Sequence, residues 1–130
     1  MRKPSELFAR PRGFRKLEVW QLGMDAAESI YAITRGFPSD ERYAMTDQLR
    51  RAIVSIPSNI AEGNERRTRA DHLHFIIQAR ASLAEVETQL ELAYRFGYAT
   101  EQDLEPTVML LDHLGRKLHR FSESIARHSA

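Results

Sequence analysis

The chain contains no cysteine, so neither a disulfide nor a thiolate metal site can hold it together. It also lacks any apolar run near the roughly 18 residues that a membrane-spanning helix needs, because Arg, Glu, Asp or Gln interrupts every apolar stretch within a turn or two. No apolar segment follows the N-terminal cations Arg2 and Lys3, so no secretory signal is expected and a cytoplasmic location is. Alternating runs of strand type are missing, as are turn pairs such as Asn-Gly between β-branched runs. An excess of one charge is missing too. The 19 Lys and Arg are balanced by 18 Asp and Glu, for a net charge of +1, which gives no global field of the kind that marks an obligate nucleic-acid binder.

The motifs of catalysis are absent as well. There is no Gly-rich phosphate loop, no nucleophile elbow, no His-Glu-x-x-His and no Glu-x-x-His from which a helical bundle builds a carboxylate–histidine metal site. His72 and His74 are two apart and fall on opposite flanks of a helix, a poor metal clip. His119 with Glu123, and Glu87 with Glu91, do share faces at i, i+4. No catalytic residue, metal or cofactor is expected, and the chain is not read as an enzyme.

What the sequence does contain is helical periodicity. With 130 residues, 42% hydrophobic and 28% charged, it reads as one globular domain. Residues 1–15, with Pro4, Pro11 and Gly13, read as an extended basic arm, and residues 16–127 as the folded domain. A first helix, about 16–35, carries two apolar stripes: Leu17, Trp20, Met24, Ala27 and Tyr31, beside Val19, Leu22, Ala26, Ile30 and Ile33. Core packing is the default expectation for Trp20 and Tyr31. A second helix, about 40–63, carries Met45, Leu49, Ala52, Ile56 and Ile60, with Pro57 expected to bend it and Gly63-Asn64 to stop it. A third, about 69–96, has the regular seam Ile76, Ala79, Leu83, Val86, Leu90, Ala93, with Gly97 as its stop. A capping box of Thr100 and Asp103 opens a fourth, which ends near Arg127 with Leu104, Val108, Leu111, Gly115, Leu118 and Ile125 on one seam. Four helices with short connections close as an all-α, antiparallel up-down-up-down bundle. The extra stripes leave apolar surface that one core does not need, so copies of the chain are expected to associate.

Two sets of polar residues are candidates for function. Arg12, Arg15, Lys16, Arg50, Arg66, Arg67 and Arg69 cluster in sequence before the first helix and around the second, and are candidate phosphate contacts. On the second helix Arg51, Ser55, Ser58, Asn59 and Glu62 recur three or four apart. This stripe either satisfies the carbonyl freed by Pro57 and ties helices or subunits together, or it lines a ligand surface.

The segments Leu17-Glu18-Val19-Trp20-Gln21-Leu22, Phe37-Pro38 with Glu41-Arg42-Tyr43, Gln48-Leu49-Arg50-Arg51-Ala52, and above all Ser55-Ile56-Pro57-Ser58-Asn59-Ile60-Ala61-Glu62-Gly63, resemble the bacterial four-helix bundle family encoded in intervening sequences of 23S ribosomal RNA genes. Glu85-Val86-Glu87-Thr88-Gln89-Leu90 and Gly97-Tyr98 continue the likeness, which spans Phe14 to about Ile125. The resemblance implies a ring-like homopentamer. A related branch, the accessory protein of diversity-generating retroelements, acts with a reverse transcriptase and binds nucleic acid. The partners so implied are further copies of the chain and RNA or a nucleic-acid-processing protein. A protein-interaction scaffold with no nucleic-acid role is the alternative.

Overall fold

A computed structural model of the chain describes residues 6–8 and 12–127, without the side chains of residues 41–43. Most of the arm, including Arg2, Lys3, Pro4, Arg10 and Pro11, lies outside the described residues. Four α-helices follow one another: α1 (Glu18–Thr34), α2 (Asp47–Asn64), α3 (Arg69–Arg95) and α4 (Glu101–Arg127). Single 3-10 turns cover Glu6–Phe8, Gly13–Lys16 and Ser39–Glu41, and a π turn covers Arg42–Thr46. Among the described residues there is no strand. Each helix packs against its neighbours in sequence, and α4 closes on α1. Short connections force each helix antiparallel to the last, so the result is the up-down-up-down bundle.

The core is cleanest on α3, where Ile76, Ala79, Leu83, Val86, Leu90 and Ala93 are all buried. They face Leu49, Ile53, Ile56 and Ile60 of α2 and Leu111, Leu114 and Leu118 of α4, members of the same core. On α1 the second stripe turns inward, while the first lies at the margin, with Leu17, Trp20 and Ala27 partly buried against the core. Val19, Ala26 and Ile30 are buried, whereas Met24 and Tyr31 are exposed. Tyr31 therefore departs from the core placement expected of it. It sits at the rim between α1 and α2, with the Arg50 guanidinium 4.4 Å above its ring. Trp20 is half-buried against the core. On α4 the inward positions are Leu104, Thr107, Leu111, Leu114, Leu118, Ser122 and Ile125. Val108 falls outside them, because α4 turns Thr107 inward instead, where its hydroxyl meets that of Ser29 at 2.6 Å.

Helix ends follow local chemistry with two departures. Thr100 accepts from the Asp103 N–H at 3.1 Å while Asp103 Oδ2 accepts from the Thr100 N–H at 3.3 Å, the reciprocal capping box. Gly97 has φ of +81°; the Tyr98 N–H donates to the Ala93 carbonyl and the Gly97 N–H to that of Tyr94, a Schellman stop that needs the left-handed backbone. α2 ends at Asn64, where Gly63-Asn64 is expected to stop it, but Gly63 is not a left-handed stop. It is helical and buried, and a Cβ there would stand 2.9 Å from Phe75 Cβ, so its role is to let α2 lie close against α3. The second departure is the start of α2. The turn after Pro38 winds as 3-10 and then π before α2 begins at Asp47, burying Thr46 and leaving Met45 half-buried. A π turn holds one residue more than an α turn, a difference that apolar spacing over a single turn does not register. Beyond it α2 runs on through Pro57, whose ring packs where a Cβ on Gly23 of α1 would lie 3.3 Å away.

Candidate nucleic-acid interface

The fold gathers at one end of the bundle residues that are some 50 apart in sequence. The 3-10 turn Gly13–Lys16 leads into α1 and packs against α2. Arg12 ion-pairs with Glu65 at the far end of α2, so Arg12, Arg15 and Lys16 sit beside the α2–α3 connection that carries Arg66, Arg67 and Arg69. Thr68 sets the direction of that connection by capping α3, accepting from the Asp71 N–H at 3.1 Å. Its Thr-x-x-Asp spacing is the same capping signal as that of Thr100 and Asp103, and it is missing from the sequence-based expectations above.

Each cation is held differently. The Arg66 guanidinium lies 4.4 Å from the centre of the Phe75 ring, that of Arg15 lies 5.1 Å from the Trp20 ring, and that of Arg12 lies 5.5 Å from the Phe14 ring. Phe14 meets Trp20 edge-on at 5.4 Å, joining two of these stacks. Arg67, Arg69 and Lys16 are exposed, and among the described residues none of them has an ion pair or ring stack.

Arg50 is not brought to this end. It lies about 21 Å along α2 from Asn64, where the helix ends beside Arg66, at 1.5 Å per residue. Its Nε donates to Thr34 Oγ1 at 2.9 Å and its Nη2 to the Tyr31 carbonyl at 3.4 Å, so it satisfies the last turn of α1.

The polar stripe of α2 divides as well. The Ser55 hydroxyl donates to the Ala52 carbonyl at 2.7 Å and shares a 2.6 Å hydrogen bond with Ser82 of α3. Asn59 Nδ2 donates to the Ser55 carbonyl at 2.8 Å. These bonds tie α2 internally and to α3, and none of them reaches the Ile53 carbonyl freed by Pro57. Arg51 pairs with Asp47 at 2.6 Å, while Ser58 and Glu62 are exposed. The stripe does not converge on one point.

Charge is sorted along the bundle. The half holding residues 12–25, 56–82 and 114–127 has eleven Lys or Arg and six Asp or Glu; the half holding 26–55 and 83–113 has five and eleven. In the basic half His72 is partly buried between Gly63 and Phe121, its ring edge-on to Phe121 at 5.6 Å. Burial pushes its pKa below the ordinary histidine value, and its Nε2 is a buried atom without a hydrogen-bond partner. In the acidic half Glu87 is raised, first by burial and then by the nearby Asp112 carboxylate. Among the described residues no three His, Asp or Glu come together as a metal site, and no helix is long and apolar enough to cross a membrane.

A model of the 23S rRNA-intervening sequence protein family matches residues 15–120. The chain belongs to that family. The match starts at Arg15 and takes in Lys16, Arg66, Arg67 and Arg69, so the basic end is built largely from family sequence. No curated protein matches the chain. Among solved structures, a protein of unknown function from the S23 ribosomal protein family of Bacteroides thetaiotaomicron shares the fold, with a TM-score of 0.72 at 24% identity, covering 80% of this chain and 97% of that one. Neither the family's description nor the neighbour's carries an enzymatic activity.

Proposed function

We propose that this 23S rRNA-intervening sequence protein is a non-enzymatic homo-oligomer whose basic end binds nucleic acid, RNA foremost, through phosphate contacts. The observation that carries this reading is the convergence of Arg12, Arg15, Lys16, Arg66, Arg67 and Arg69 on one end of a bundle whose total charge is almost nil. Phosphate binding needs local cations and not a cationic chain. Arg67 and Arg69, exposed and unpaired among the described residues, are the foremost contacts.

Self-association is supported by apolar side chains left on the outside of the bundle. Met24 on α1, Val54 on α2, Ile77 on α3, and Val108 with Met109 on α4 are exposed, Met109 by 65%. Such side chains gain from burial against another copy. Five copies, the number the family resemblance implies, would place five basic ends around one axis.

Titration of the full chain with a generic RNA at two salt concentrations tests this. Binding must weaken steeply as salt rises. Arg67→Ala with Arg69→Ala must lower the affinity, and must also lower the salt slope by roughly 0.7–0.9 for each phosphate that is no longer neutralised. Light scattering on the same sample must give a multiple of the 15.0 kDa subunit. An oligomer that binds no RNA rejects the nucleic-acid role and leaves the protein-interaction scaffold.

A further inference from the structure

We infer that the basic end takes unpaired nucleotides, whose bases stack on the guanidinium planes of Arg66 and Arg15. This rests on the nucleic-acid reading above and narrows its ligand from phosphate in general to single strands with accessible bases.

The argument starts from how the cations are held. A site that only neutralises phosphates works with free cations on flexible stems, as Arg67, Arg69 and Lys16 are here. It gains nothing from a ring beneath each charge. Yet at this end Arg66 lies over Phe75 at 4.4 Å and Arg15 over Trp20 at 5.1 Å. An aromatic ring on one side restricts the rotation of a guanidinium and leaves its opposite face as a flat, weakly hydrated surface. Arg66 is exposed and Arg15 half-exposed, so those faces are within reach of a ligand. Nucleobases stack on arginine planes and aromatic rings in this way, and only where they are not already stacked in a duplex.

The platform also has extent. His74 meets Phe75 edge-on at 5.7 Å, beside the Arg66 stack. Phe14 bridges Trp20 to Arg12, and the Arg12–Glu65 ion pair fixes that group next to Arg66. Two stacked arginines therefore flank one ion pair, with unstacked cations around them for the backbone of the same strand. That combination of planar and free cations is what a single strand requires and a duplex does not.

The test keeps charge and removes planarity. Arg15→Lys with Arg66→Lys preserves both positive charges but cannot stack as a plane. Binding of the full chain is measured against an unstructured RNA strand, a DNA strand of the same sequence, and an RNA hairpin duplex with the same number of phosphates. Trp20, the sole tryptophan, reports through its fluorescence. The parent chain should bind the single strands about tenfold more tightly than the duplex, with Trp20 quenched. The lysine variant, checked by circular dichroism to unfold at the parent's midpoint, should lose that preference while keeping its duplex affinity and salt slope. RNA bound above DNA assigns the strand to RNA through its 2′-hydroxyls; equal affinity assigns the site to any unpaired strand. Equal binding of strand and duplex, with no effect of the lysine changes, overturns the stacking inference and leaves the phosphate reading in place. No binding of any of the three ligands overturns both.

Discussion

Gly63 carries a prediction whose sign can be worked out. An alanine Cβ at this position would stand 2.9 Å from Phe75 Cβ, 3.1 Å from His72 Cδ2 and 3.2 Å from the His72 carbonyl oxygen, where comfortable carbon contacts lie at about 3.5–4.0 Å. Two of these three neighbours are a Cβ and a main-chain oxygen, so a rotamer change cannot clear them. α2 and α3 must separate by a large fraction of an ångström. Overpacking of this kind costs about 1–3 kcal/mol, and the better helix propensity of alanine offsets about 0.8–1 kcal/mol of it. Gly63→Ala should therefore destabilise the chain by about 1 kcal/mol, lowering the melting temperature by about 3–6 °C. Gly115→Ala is the matched control. Its Cβ would meet only a Leu83 methyl at 3.3 Å, which can rotate away, so the propensity gain should leave that variant as stable as the parent or more so. The assay is urea unfolding followed by far-ultraviolet circular dichroism. Protein concentrations must be matched, because the proposed association would make the midpoint concentration-dependent. A Gly63→Ala variant as stable as the parent, or a Gly115→Ala variant as damaged as Gly63→Ala, would refute the close-approach argument.

Two further outcomes follow from single side chains. Burial holds the His72 pKa low, so the unfolded chain takes up its proton first; stability is complete above about pH 6.5 and declines as the pH falls below it. His72→Gln should flatten that decline, measured as unfolding free energy at pH 7.5 and 5.5, and an unchanged slope would show that His72 does not cause it. Arg50→Met removes the bonds to Thr34 and Tyr31 and the stack over the Tyr31 ring, costing about 1 kcal/mol. RNA affinity should stay within about twofold of the parent, because Arg50 is about 21 Å along α2 from the basic end. A loss as large as that of the Arg67→Ala, Arg69→Ala pair would return Arg50 to the contact set.

What the sequence reveals, and what it withholds, divides by the range of the interaction. The α3 seam is legible because all six of its positions obey one period and all face inward. The Thr100–Asp103 box and the Gly97 stop are legible because each is completed within a few residues. On α1 two stripes compete, and only the placement of α2 and α4 decides that Ala26 and Ile30 go in while Met24 and Tyr31 stay out. Gly63-Asn64 marks the end of α2 correctly, but the close approach that Gly63 permits is hidden because its partners, His72 and Phe75, belong to another helix. The same holds at the candidate site. Arg50 groups with Arg66 by nearness in sequence, yet the bundle sends them to opposite ends. Arg12 joins Arg66 across some 50 residues only once α2 has folded back. The rings beneath Arg15 and Arg66 are non-local features that no spacing rule finds.

Net charge is the quantity most easily misread in this chain. A value of +1 suggests indifference to phosphate only if the charges are mixed, and here they are sorted. α3 and α4 have 27 residues each, so the two ends of the bundle are about 40 Å apart, whereas charges in physiological salt are screened over about 8 Å. A strand held at Arg67 and Arg69, as proposed, would thus be insulated from Glu101, Asp103 and Glu105 at the other end. The sorting also constrains assembly. Subunits arranged around an axis parallel to their helices place like ends together, multiplying the basic surplus on one face and the acidic surplus on the other. Neighbours arranged antiparallel alternate the two and cancel both. The proposed nucleic-acid binding at the basic end would therefore favour the first arrangement. Because that arrangement would set like charges side by side at both faces, the apolar flanks left open on Met24, Val54, Val108 and Met109 would have to supply its cohesion, and moderate salt should strengthen the proposed assembly while weakening the proposed RNA binding.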